Sequence, residues 1–366
     1  MKKRIVISDV EAVSPFGNDI NSIFNNLIIE KKHLQTGKFN HISDFNFYDY
    51  HYDVKTRIDI CSQLCIHTTA QLLKEKSMYG NDLIGLITAS KNGCPISKSK
   101  YLEQLKTFEE PQYASPKDFV QSICNIPNSQ ATIECGIKGI TNHYVGASDA
   151  SLTGLWQAVK CIRDGMANEM VVSAFDVITD TVEQKKRFPS EGVFQDIKYS
   201  EAAASVKVQL GEDVNQNNVL FEVLGIGLGV GPETDIAVGI ALSNAIKESN
   251  INEKDVSFII SNSSSPSEFY KKESRGVVSI FNRPVPTFLM KSYTGECHAP
   301  FPLLSMAMLS RMSSYCLPSN LFAVSDMVDS KHLVYENIMI EKGSIALIIG
   351  YGDFANAVVI CLKHGK

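Results

Sequence analysis

The chain predicts an α/β fold with covered sheets, and three observations carry that reading. Short apolar runs that suit buried strands alternate with longer runs that suit helices, from residue 5 to residue 362. The β-rich stretch 140–145 passes through a sharp turn at Gly146 into a helix of small residues, 147–163. Between these elements there is no Pro/Gly/Ser-rich stretch that would serve as a flexible linker.

In order, residues 5–8 predict a strand, 21–30 a helix, 58–74 an amphipathic helix and 83–88 a buried strand. A second series begins at 219–230: helix 235–249, strand 256–261, helices 268–281 and 301–312, and strands 344–349 and 357–362. Strands that are apolar throughout suit sheets covered on both faces. The run Gly225-Ile226-Gly227-Leu228-Gly229-Val230-Gly231-Pro232 fails the G-x-G-x-x-G spacing and ends in proline, so it reads as a bend in a twisted strand and not as a dinucleotide loop.

At 366 residues the chain exceeds the usual domain length of roughly 100–200 residues, so one large or two fused domains are expected. Hydrophobic content of 44% with 20% charged residues describes an ordinary globular protein. A net charge of −5 with no basic stripe argues against a nucleic-acid partner. After Met1-Lys2-Lys3-Arg4, Asp9 and Glu11 interrupt the apolar run, so no signal-peptide core is read there. No apolar run approaches the roughly 18 residues of a membrane span, and the expected compartment is the cytoplasm. The nine cysteines lack framework spacing, which fits reduced thiols. Cys61 and Cys65 share a helix face, but no second pair completes a metal site, and they read as small core residues.

Tyr144-Val145-Gly146-Ala147-Ser148-Asp149 lies where strand gives way to helix. A cysteine there would meet the positive end of the helix dipole, which favours thiolate. Gly146 presents no side chain. Ser148 is expected to cap the helix, with Asp149 adding negative charge in its first turn. His143 is expected as a strand or interface residue.

Further motifs stand along the chain in a fixed order. Ala12-Val13-Ser14-Pro15-Phe16-Gly17-Asn18 follows the first strand, Arg57-Ile58-Asp59 opens a helix, and Gly136-Ile137-Lys138-Gly139 precedes 140–145. Ser200-Glu201-Ala202-Ala203-Ala204, Ser261-Asn262-Ser263-Ser264-Ser265-Pro266, Lys291-Ser292-Tyr293-Thr294-Gly295-Glu296 and Gly350-Tyr351-Gly352 come after it. In content and order these segments, from Arg4 to about Leu362, resemble the β-ketoacyl synthases of the thiolase superfamily. The counterparts there read S-P-x-G-N, R-x-D, G-L-x-G, C-A/S-S-G for the nucleophile turn at Gly146, G-E-G-A-G, H-G-T-x-T-P, K-S-x-T-G-H and G-F-G.

The resemblance implies a thiolase-like fold: two related α/β halves, 1–212 and 213–366, stacked as five layers (αβαβα) in one compact unit. Residues 180–200 look shorter than their counterpart, which implies a trimmed loop near the site entrance. It also implies which positions carry chemistry. Decarboxylative condensation needs a nucleophile to hold the acyl chain as a thioester. It also needs two imidazoles to stabilise charge at the extender unit's carbonyl. Those positions match Gly146, Ser261 and Glu296. Glycine cannot be acylated, serine carries no charge, and an anionic glutamate repels an enolate. Lys291 keeps the family's lysine, while its usual acidic partner falls near Lys272, with Glu273 one place off. Gly350, Tyr351 and Gly352 keep the turn that in the family donates an oxyanion N–H. Cys297 and His298 follow Glu296 directly, but neighbours on an extended segment point to opposite faces and do not make a dyad by adjacency.

A ketosynthase fold with a blank site resembles the chain-length factor of type II polyketide systems, and in its compactness and its glycine the aryl-polyene type. The resemblance implies no cofactor, no metal and no activity of the chain alone. It implies a catalytic ketosynthase subunit as partner in a heterodimer, or a dimer of heterodimers, with acyl carrier protein docked mainly by that partner. Segments 92–101 and 115–124 are then expected at the seam and chain tunnel, with Asn92, Cys94, Ile96, Asp118 and Phe119 as candidates. Asp118 falls where relatives carry a large apolar gate. The alternatives are an active synthase or acyltransferase using an unusual nucleophile such as Cys297, and a homodimeric acyl-binding or regulatory protein.

Overall fold

The computed structural model describes residues 3–32, 34, 39–43, 45, 58–73, 83–108, 110–179, 198–264, 268–312, 316–317 and 338–365. Arg57, Ser265 and Pro266 of the motifs above, and 180–197 of the trimmed segment, lie outside the described residues.

The strands are β1 (Ile5–Val13), β2 (Phe39–Asn40), β3 (Ile84–Ser90), β4 (Thr141–Val145), β5 (Glu169–Asp176), β6 (Tyr199–Ser200), β7 (Ala202–Leu210), β8 (Phe221–Val230), β9 (Phe258–Ile260), β10 (Thr287–Phe288), β11 (Cys316–Leu317), β12 (Ile338–Met339), β13 (Ile345–Tyr351) and β14 (Asn356–His364). The α-helices are α1 (Ile20–Phe24), α2 (Ile60–Leu73), α3 (Pro95–Thr107), α4 (Pro116–Gln121), α5 (Ile126–Glu134), α6 (Ser148–Arg163), α7 (Thr234–Ser249), α8 (Glu268–Val278), α9 (Lys291–Thr294) and α10 (Phe301–Leu309). The predicted helix 21–30 is a short α-helix that widens into a π-turn over Asn25–Ile29.

One ten-stranded sheet runs β10-β9-β13-β14-β8-β1-β7-β5-β3-β4. Its two sides repeat one design. On each side the spatial order is third, second, fourth, fifth, first in the chain order of the strands. β3 is parallel to β4 and β5, and β9 is parallel to β10 and β13. The antiparallel pairs β5–β7 and β7–β1 are matched by β13–β14 and β14–β8. A short antiparallel ladder, Ile5–Ile7 on Phe221–Val223, joins the two sides. The side chains have diverged while the ladder pattern has not, which is why the duplication is invisible in the sequence.

The central parallel strands β3 and β5 are buried along their whole length, as apolar runs covered on both faces should be. Helix α6 contributes Leu152, Leu155, Val159 and Ile162 to the main core, and α10 contributes Leu303, Leu304, Met308 and Leu309.

The glycine run of β8 has a packing cause. A Cβ on Gly227 would lie 2.0 Å from the Ala241 carbonyl oxygen, and one on Gly229 2.1 Å from that of Ala237. Helix α7 thus lies directly on the strand backbone, through buried Ala237, Ala241 and Ala245. The reading of this run as a bend is replaced by one of close helix–strand contact.

Candidate functional site

The site forms where the parallel strands end and the following helices begin. Strand β4 delivers Gly146 to the head of α6, and the Gly146 N–H is donated to the Ser90 carbonyl at 3.1 Å. A Cβ on Gly146 would lie 3.1 Å from Ala150 Cβ and 3.4 Å from Asp149 Oδ1. The position therefore lacks a side chain, faces a carboxyl group and has no backbone donor to spare. Ser148 is not the cap of α6, contrary to expectation. Ala147 takes that place without a side-chain bond, and buried Ser148 donates its hydroxyl to the His298 carbonyl at 3.1 Å. Asp149 does sit in the first turn, accepting a hydrogen bond from Asn356 Nδ2. Burial pushes its carboxyl above the usual range.

Close to the head of α6, helix α9 ends at Gly295 with φ +79°, a left-handed conformation that suits glycine. The turn swings Glu296 back over Lys291, with Nζ 2.7 Å from Oε2. The other oxygen, Oε1, accepts the His298 backbone N–H at 2.9 Å and lies 3.4 Å from His298 Nδ1. Burial opposes ionisation, yet Lys291 and His298 together hold the Glu296 carboxyl well below the usual range. Its backbone is fixed as well: Glu296 N–H donates to the Lys198 carbonyl at 2.7 Å and its carbonyl accepts from Ser200 N–H at 3.0 Å. The lysine's direct ion-pair partner is thus Glu296, five residues further along the chain.

Ser261 follows β9, is fully buried and accepts the Ser263 N–H at 3.0 Å. Glu273 on α8 is the acid predicted one place off register. It accepts the Asn262 N–H at 3.1 Å and lies within electrostatic reach of Lys291, but the lysine's direct contact is Glu296. Burial pushes Glu273 up to about 7, against the pull of Ser261, the Asn262 N–H, Lys291 and Tyr351. Gly350 and Gly352 are required by close approach: a Cβ on Gly350 would lie 2.7 Å from the Ser148 carbonyl oxygen, and one on Gly352 2.8 Å from Asp149 Oδ1.

Cys297 is fully buried in the main core, and burial pushes its thiol far up, away from thiolate. The sequence reading missed Asp176, at the end of β5. This buried carboxylate accepts the N–H groups of Lys91 and Asn92 at 3.0 and 2.9 Å and that of Ala299 at 3.2 Å. Burial raises it to about 6, against His298 and those donors. An acid closing the largely apolar run 170–175 was the available signal.

The seam candidates separate. Cys94 is buried, and Asn92 is tied through its backbone to Asp176. Asp59, Cys61 and Cys94 bring ligand atoms within 4.8 Å of one another. The carboxylate there accepts from Cys61 N–H, Ser97 N–H and Ser97 Oγ–H, and the Cys61 thiol donates to the Gly93 carbonyl, so the group clasps two helix N-termini. Asp118 turns toward α3, accepting from Gln104 Nε2 at 2.8 Å and lying 3.3 Å from Lys100 Nζ. Phe119 projects outward, 49% exposed, against the Tyr101 ring at 5.4 Å. Ile96, Val120, Ile123, Ile133 and Val145 are exposed as well, and β4 is the edge of the sheet.

The fold is ketosynthase-like, of the thiolase-like type. Residues 31–186 match the family profile described as β-ketoacyl synthase, N-terminal domain. The chain is similar to 3-oxoacyl-[acyl-carrier-protein] synthase 2 of Staphylococcus aureus (strain N315), with 25% identity over 191 residues, 46% of this chain and 44% of that protein. The aligned part thus spans less than half the length of that relative. Among solved structures, a β-ketoacyl synthase from Burkholderia phymatum STM815 superposes with TM-score 0.84 at 14% identity, covering 99% of each chain. The ketosynthase ApeO in complex with its chain length factor ApeC, from Xenorhabdus doucetiae, gives 0.81 at 14%, covering 99% of this chain and 98% of that one. The ishigamide ketosynthase/chain length factor gives 0.78 at 15%, covering 99% of each. Among the described residues no helix is long and apolar enough to cross a membrane.

Proposed function

We propose that this chain is a non-catalytic ketosynthase-like subunit, a chain-length factor of the aryl-polyene type, which pairs with an active β-ketoacyl synthase and shapes its acyl tunnel. The observation that carries this reading is the state of the three reactive positions. Gly146 has neither a side chain nor a free N–H, Ser261 is enclosed beside Glu273, and Glu296 neutralises Lys291. Losing one member of a catalytic unit costs on the order of 10⁴ to 10⁶ in rate in hydrolases. The burial of Cys297 speaks against a substitute nucleophile.

The open edge β4 and the exposed apolar residues beside it support pairing with a second thiolase-like chain. On this reading the halves are 1–212 and 213–366, the subunit works in the cytoplasm, and acyl carrier protein docks mainly on the partner. Phe119 and Ile96, exposed on that face, are the candidates for touching the partner's tunnel; Asp118 holds α3 to α4. Co-expression with an active β-ketoacyl synthase of an aryl-polyene system tests the pairing. A 1:1 complex is expected, and a stable homodimer that ignores the ketosynthase contradicts it.

A further inference from the structure

Two buried oxygens face each other across the top of Gly352. Asp149 Oδ1 and Asn356 Oδ1 have no hydrogen-bond partner. A Cβ on Gly352 would lie 2.8 Å from the first and 2.9 Å from the second. The remaining atoms of the same two groups are already joined, Asn356 Nδ2 donating to Asp149 Oδ2. Two enclosed acceptors without a donor are costly. A single proton on Asp149 Oδ1 removes both defects, because the carboxyl then donates to Asn356 Oδ1 while still accepting from Nδ2.

We propose that Asp149 is a neutral carboxylic acid in the folded protein, paired with the Asn356 amide by two reciprocal hydrogen bonds, and that the pair is a pH-sensitive latch across the empty nucleophile turn. It fastens the head of α6 to β14, residues 207 positions apart in the chain. The surroundings weigh both ways. From α6 the backbone N–H groups of Ala147 and Asp149 favour a charge. From the β13–β14 hairpin the Asp353 carboxylate disfavours it, and the nearby cation, Lys91, is engaged by Asp353 at 3.1 Å. Among the described residues no cation pairs with Asp149. Burial weighs against the charge and raises the carboxyl above its usual range. When the pH rises, the proton leaves to water and a carboxylate is left facing the Asn356 carbonyl oxygen and Asp353. The latch then opens. It needs no catalytic role for the turn and stands apart from the partner-subunit reading.

The variant Asp149→Asn tests it, because the new amide offers an N–H where the acid offers O–H. A folded-state pKa above the unfolded value gives stability that is complete below the unfolded pKa and is lost as pH rises through the folded one. The thermal midpoint of the full chain, in its complex where it purifies as one, is compared with that of D149N from about pH 5 to pH 8. The wild type is expected to fall behind the variant as the pH rises. Isotope-edited infrared spectra supply a second readout: a protonated-carboxyl C=O band that fades on raising the pH in the wild type and is missing in D149N. Parallel pH profiles for the two proteins, or no titrating band in the wild type, overturn the latch and leave a carboxylate bridged by water. The wild-type titration decides the matter alone where D149N does not fold.

Discussion

Lys291 and Glu296 form a buried ion pair, 2.7 Å between Nζ and Oε2, across the turn at Gly295. The lysine is 2% exposed and its ammonium also lies 4.6 Å over the Phe301 ring, so removing the carboxylate leaves an unpaired charge in the interior. Glu296→Gln is expected to cost about 3–5 kcal/mol, read from the shift of the urea-unfolding midpoint. Because the folded carboxyl is held below its unfolded value, this stability is present above the unfolded pKa and is lost as pH falls below it. The cost of E296Q should shrink in acid.

Restoring the missing thiol should not restore chemistry. In Gly146→Cys the new Cβ lies 3.4 Å from Asp149 Oδ1, a group that opposes thiolate once charged, and the backbone N–H is already spent on Ser90. G146C is expected to react with iodoacetamide no faster than an ordinary thiol and to take up no acyl group from an acyl-carrier donor. Rapid alkylation with adduct formation would show a working site.

Glu273 titrates near neutrality. Its folded pKa, pushed up to about 7 by burial, lies above the unfolded value, so its contribution is complete in acid and is lost as pH rises through 7. The wild type should lose thermal stability relative to Glu273→Gln between about pH 6 and pH 8, and equal slopes would refute a buried neutral acid.

Phe119 and its neighbour Asp118 should separate in effect. Phe119→Ala removes a half-exposed ring and, on the proposed partner-subunit role, is expected to lengthen the product of the co-expressed complex, since added units need room in a packed interior. Asp118→Ala should leave the product unchanged and cost about 1 kcal/mol of stability through the lost Gln104 bond.

Val145→Asp places a charge on the open sheet edge at a residue 64% exposed. The fold should survive, by circular dichroism, while co-purification with the ketosynthase is lost.

What the sequence made legible was local. Gly146, Ser261 and Glu296 stand inside recognisable motifs, so the candidate positions could be named without coordinates. The buried strand β3 followed from its apolar run alone, whereas β5, which opens on Glu169 and closes on Asp176, did not. The pairings that give the empty site its present form could not be read. Asp149 meets Asn356, Ser148 meets His298 and Asp176 meets Ala299 only because four segments distant in the chain converge. Even Lys291 and Glu296, five residues apart, depend on the left-handed turn at Gly295. The repeat of strand order across the sheet is equally a property of ladders, with no recurring side chains to announce it.

The most direct test of the central claim is the intact mass of each subunit after the co-purified complex is incubated with an acyl-carrier donor. The account predicts an acyl adduct on the ketosynthase and none on this chain. An adduct on this chain, above all one that disappears with Cys297→Ala, would contradict it.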